Sequence, residues 1–164
     1  MKASCCGACA FVATATVASA ALAANLPKEG KYDYNACFAG VTSAIAFSRT
    51  HSATSSEFTG VILSNPPNGP FDKDSFHCLS MGASFDGKQQ GLTVCETVDA
   101  DGDRRLSVFS TSADGKVTRE TVSGTGKYEG MTMTGVSQPL GPFATVKPGT
   151  VQNCTRQTGT YKLK

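Results

Sequence analysis

The chain has 164 residues, 17% of them charged and 40% hydrophobic, and its 15 basic and 13 acidic residues nearly cancel. Without a Lys/Arg run to build a positive field, nucleic acid and an anionic membrane surface are not expected as partners. The length suits one domain that can bury a core without metal, and no cofactor is expected.

Residues 1–24 differ from the rest. Lys2 is their only charge, an Ala/Val/Thr-rich apolar run leads to Ala24, and Ala21-Leu22-Ala23 has the small-x-small pattern of a signal-peptidase site. A signal peptide cut after Ala23 or Ala24 is expected, with export and no membrane span in the remaining domain, residues 25–164. Cys5, Cys6 and Cys9 leave with the signal, and Cys37, Cys78, Cys95 and Cys154 stay. Four cysteines in an exported chain predict two disulfides, whereas the absence of a C-x-x-C spacing among these four argues against a zinc site.

From Lys28 onward the pattern has period two, with turn residues between short apolar runs. Tyr32, Tyr34 and Ala36 alternate with Asp33, Asn35 and Cys37 in a strand over Lys31–Phe38. Ala44–Arg49 and Glu57–Ser64 read as further strands, with His51 in a solvated loop between them. Asn65-Pro66-Pro67-Asn68-Gly69-Pro70 is a loop, since proline removes donors and fixes φ.

Phe76–Phe85 and Lys88–Val98 form a hairpin about Asp86-Gly87, the pair a type I′ turn wants because both of its central positions have positive φ. A two-residue turn there sets Cys78 opposite Cys95 and Gly82 opposite Gly91, within disulfide reach. Cys37 and Cys154 then pair by elimination and tie the first strand to the last. The same register gathers Leu79, Met81, Phe85, Leu92 and Val94 on one face and Cys78, Ser80, Ser84, Gln89 and Thr93 on the other. The apolar face is expected to point at the core. His77 and Glu96 share that face and would be interior polar groups. Arg105 falls inside, diagonal to Glu96, if the next turn has two residues at Asp101-Gly102, and outside if a glycine bulge adds a third.

Strands follow over Arg105–Thr111 and Val117–Val122, then a glycine-punctuated strand over Ser123–Gly135, then Phe143–Val146 and a last strand over Val151–Lys162. Repeated glycines in one strand imply the bends that close a sheet into a barrel. Asp99-Ala100-Asp101-Gly102-Asp103 lacks the glycine and glutamate positions of an EF-hand and reads as a turn. Gly124-x-Gly126-Lys127 lacks the helix that a phosphate-binding loop requires. No G-x-S-x-G elbow accompanies the two histidines.

Asp99-Ala100-Asp101-Gly102-Asp103 followed by Gly124-Thr125-Gly126-Lys127-Tyr128-Glu129-Gly130-Met131 resembles a group of small exported bacterial proteins of unknown function. The second segment is also similar to one in plant allene oxide cyclases and, more faintly, dirigent proteins; the resemblance covers residues 92–136. It implies an eight-stranded antiparallel barrel with an apolar cavity, in a secreted or periplasmic bacterial protein, and carries over no catalytic residue. The expected fold is therefore an all-β, disulfide-stapled, calycin-like or allene-oxide-cyclase-like barrel. The expected function is noncatalytic binding of a small apolar or amphipathic ligand, with Phe85, Leu92, Val94, Phe109 and Tyr128 as lining and Glu96 and His77 as polar anchors. Two alternatives stand beside it: an isomerase or cyclase acting on a lipid-derived substrate, and a solid-core interaction module. The oligomeric state is left open.

Overall fold

The computed structural model describes residues 26–164, so the signal-peptide reading lies outside the described residues. Eight antiparallel strands run β1 Glu29–Ala46, β2 His51–Ser64, β3 Ser75–Phe85, β4 Lys88–Val98, β5 Arg104–Thr111, β6 Val117–Gly124, β7 Thr132–Pro139 and β8 Thr150–Lys162. They form one sheet in the order β6-β5-β4-β3-β2-β1-β8-β7. The end strands β6 and β7 meet across a seam without a ladder, which makes the sheet a nearly closed barrel. The described residues are all-β, and none of their helices is long and apolar enough to cross a membrane.

Asp86 and Gly87 have φ of 50° and 79°, the left-handed pair that a tight two-residue hairpin requires. The turn sets Cys78 against Cys95 and Gly82 against Gly91, and Cys37 faces Cys154 between β1 and β8. Both pairs are disulfides with Cα atoms 4.1 Å apart. Cys78–Cys95 lies on the inner surface; Cys37–Cys154 lies on the outer one, since Tyr34, Ala36 and Phe38 beside Cys37 point inward. Such bridges suit an oxidising extracellular environment.

Several expected boundaries change. Ala44–Ala46 completes β1, the turn is Phe47–Thr50, and His51 opens β2 with its ring 3.8 Å from the Asp86 carboxylate. Phe143–Val146 lies in the loop between β7 and β8, not in a strand. Ser123–Gly135 is not one bent strand: β6 stops at Gly124, a 3₁₀ turn covers Gly126–Tyr128, and β7 starts at Thr132.

The turn docks onto the β4–β5 loop. Lys127 Nζ bridges Asp99 at 2.8 Å and Asp101 at 2.6 Å, while the Lys127 amide donates to Asp103 Oδ2 at 3.1 Å. Gly126 has φ 53°, and a Cβ there would run into the Asp103 carboxylate, so both conformation and space demand glycine. The two motifs that carried the resemblance thus form one clip between neighbouring loops. It delivers Tyr128, buried, to the barrel interior.

The barrel end at which β1 begins and β8 ends is plugged. Phe71, with φ 67°, folds inward from the loop after β2 and packs on Tyr32, Tyr34, Tyr128 and Tyr161, with ring centroids 5.2 to 6.3 Å apart. Asp72 holds the loop by accepting from the Ser64 amide at 2.8 Å and the Asn68 amide at 3.0 Å. Arg105 lies inside at 1% exposure, its guanidinium 4.2 Å from the Phe71 ring centre and 2.7 Å from Asp74 Oδ2. The ladder pairs Val98 with Arg104 and Thr97 with Arg105, so Arg105 and Glu96 face opposite ways, and Glu96 pairs outside with Arg104 at 3.0 Å.

The largest correction concerns the β3–β4 hairpin. The face carrying Leu79, Met81, Phe85, Leu92 and Val94 points outward, with Met81 68% and Leu92 52% exposed. Cys78, Ser80, Thr93, Cys95 and Thr97 line the inside. Alternation reports that two faces differ, not which one is concave. Closure of the sheet puts the surface carrying Cys78, Thr93 and Phe76 on the concave side.

Candidate ligand cavity

Above the plug the barrel keeps an internal cavity of about 180 Å³. Its aromatic wall comes from Phe38, Phe58 and Phe76, with Ile62 below, and Phe109 lines it from β5. Phe38 and Phe58 stack at 4.4 Å and Phe76 meets Phe38 edge-on at 6.4 Å, because cross-strand neighbours of β1, β2 and β3 with the same parity project to the same concave surface. The opposite wall is polar, with Thr93, Thr97, Ser107, Thr155 and Gln157 from β4, β5 and β8.

Arg119 enters from β6 at the seam. It sits in the alternation Val117-Thr118-Arg119-Glu120-Thr121, whose odd members face in. One terminal nitrogen, Nη1, donates to Tyr34 Oη at 2.6 Å and Gln157 Oε1 at 3.3 Å, and the other, Nη2, donates to Ser107 Oγ at 3.2 Å. Its guanidinium carbon stands 5.2 Å from the Phe109 ring centre. The Nε–H is shielded from solvent and has no partner, and among the described residues no carboxylate lies within ion-pair distance of this cation. Arg105, the other interior arginine, has its Asp74.

The plug's ionisable groups are strongly perturbed. Burial pushes the Asp74 carboxyl up to about 6 even though Arg105 opposes it. Burial, and then the Asp74 charge, raise the Tyr128 phenol well above its ordinary range, so it stays protonated.

Of the expected lining residues, Phe109 reaches the cavity and Tyr128 belongs to the plug beneath it. Phe85, Leu92, Val94, Glu96 and His77 lie on the outer face. There His77 Nε2 is 2.9 Å from Glu57 Oε1, in an exposed pair. The two polar groups expected to orient a substrate therefore do not reach the interior. Sequence reading missed Tyr34, Phe38, Phe58, Phe76, Arg119 and Gln157. The alternation over Val117–Thr121 was the visible signal for Arg119, as that of Tyr32, Tyr34 and Ala36 was for Tyr34. Among the described residues no cluster of His, Cys, Asp and Glu could hold a metal ion. Comparison with protein-family models, with curated proteins and with solved structures finds no match to this chain.

Proposed function

We propose that this protein is an exported, noncatalytic barrel that holds one small amphipathic ligand in its interior. The supporting observation is a cavity of about 180 Å³ with an aromatic wall on one side and a hydrogen-bonding wall on the other. An engineered apolar cavity of ~150 Å³ accepts benzene, so this one suits a single ring or a short chain of about ten heavy atoms. The two disulfides support an exported, secreted or periplasmic setting.

Native and denaturing mass spectra of gently purified protein test the reading, together with an NMR titration of the ¹⁵N-labelled protein with 3-phenylpropan-1-ol. The expected result is an added mass that vanishes on denaturation, or saturable shifts at Phe58, Thr93 and Thr155. The absence of both a bound mass and saturable shifts would overturn it. A second reading, an interaction module, draws on the outer face, where Val41, Leu79, Met81 and Leu92 form an exposed apolar patch. Concentration-dependent sedimentation abolished by Met81→Asp would favour it.

A further inference from the structure

We infer that the ligand is an anion, a monocarboxylate on a small aromatic or short aliphatic body, and that its head group binds Arg119. The inference rests on the cavity reading above and adds the chemistry of the head group. An arginine keeps its charge at any physiological pH. Removing such a charge from water is costly unless a counter-charge or a full set of acceptors replaces the hydration. Asp74 supplies that counter-charge for Arg105, at 2.7 Å. Among the described residues the partners of Arg119 are neutral: it donates to the Tyr34 hydroxyl, the Gln157 carbonyl and the Ser107 hydroxyl, which uses three of its five N–H donors.

One hydrogen on Nη2 is left over; the Nε–H is unpartnered but enclosed by protein, as are Nε and Nη1 of Arg105, so the missing counter-charge is what sets Arg119 apart. A carboxylate provides acceptor oxygens and the missing negative charge together. The three neutral partners hold the guanidinium in place, so little freedom is lost when the anion arrives. The aromatic wall of Phe38, Phe58 and Phe76 then receives the apolar body.

The same features argue against neutral and cationic ligands. A neutral alcohol would fill the aromatic wall and leave the arginine uncompensated. An amine would add a second positive charge to a cavity in which, among the described residues, no carboxylate meets the first. The volume argues against a long acyl chain lying wholly inside.

The test compares two isosteres, 3-phenylpropionate and 3-phenylpropan-1-ol, by NMR titration of the wild type and Arg119→Met at about neutral pH. Charge-assisted hydrogen bonds from a buried guanidinium predict that the wild type binds the carboxylate at least about tenfold more tightly. In Arg119→Met that preference falls to within about twofold, with alcohol affinity kept. Arg119→Lys, which keeps the cation without the fork, retains an intermediate preference and stands in if Arg119→Met does not fold. Binding of both probes without preference in the wild type overturns the anion assignment and leaves the cavity reading standing. Saturable binding of neither overturns both. A carboxylate preference that survives Arg119→Met and Arg119→Lys unchanged places the anion elsewhere and overturns the assignment to Arg119.

Discussion

Replacing Arg105 by Met tests how the plug is held. The guanidinium is fully enclosed, stacked over Phe71 at 4.2 Å and Tyr128 at 4.9 Å, and its ionic partner among the described residues is Asp74, at 2.7 Å and 4% side-chain exposure. Methionine keeps much of the apolar contact and deletes the charge, so Asp74 becomes a buried acid without a partner. Removing one member of a buried pair typically costs about 3–5 kcal/mol, which in a domain of this size lowers the melting temperature by about 10–15 °C. The deficit depends on pH with a definite sign. Burial raises the Asp74 carboxyl from its ordinary 3.8 to about 6 in the folded protein. Its ionisation therefore subtracts stability as pH rises from about 4 through 6, and Arg105 limits that loss. Without Arg105 the loss is larger, so the gap between variant and wild type is widest near pH 7.5 and shrinks to less than about half by pH 4.5, where the acid is neutral in both. Circular dichroism melts at the two pH values decide it. An equal deficit at both would show that Arg105 acts by packing alone, and no deficit at pH 7.5 would refute the buried-pair argument.

Three further outcomes follow from the geometry. Gly159→Ala places a methyl group against the Thr134 carbonyl and the Gly135 Cα, both backbone, beneath the Tyr32 hydroxyl, so it should destabilise by about 1–3 kcal/mol in urea melts; a neutral effect would mean that β7 and β8 are spaced more widely. The disulfides span separations of 117 and 17 residues, so replacing Cys37 and Cys154 by Ala should cost about 1.7 kcal/mol more than replacing Cys78 and Cys95, by the loop-length dependence of unfolded-chain entropy; the reverse order would rule out that account here. Leu92→Ser on the outer face should change stability by less than about 0.5 kcal/mol, whereas Phe58→Ala on the cavity wall should cost about 3 kcal/mol or more; similar losses would contradict the assigned faces.

The β3–β4 register was legible because it depends on local chemistry. Asp86-Gly87 admits few turn geometries, and a two-residue loop leaves one pairing of strands, from which both disulfides follow. The all-β class and the antiparallel barrel were legible for the same reason: period two and turn residues are short-range signals. The direction of a face was not. Leu79, Met81 and Leu92 form as clean an apolar stripe as any core strand, yet they face solvent, while Cys78, Thr93 and Thr97 face in. Period two leaves that sign free, and only closure of the sheet, through contacts among residues far apart in the chain, chooses it.

The plug and the cavity show the same division. Nothing local marks Phe71 as a core residue, because its loop conformation is held by Asp72, Ser64 and a set of tyrosines from β1, β8 and the 3₁₀ turn. Arg119 is an ordinary strand arginine until β6 meets β7 at the seam and brings Tyr34 and Gln157 to its guanidinium. By itself, then, the sequence determined what neighbours in the chain can enforce: strands, turns, hairpin register and the cysteine pairing that follows from it. The tertiary structure decided which surface is concave and which charge is left without a partner, because both depend on strands brought together by closure rather than by adjacency.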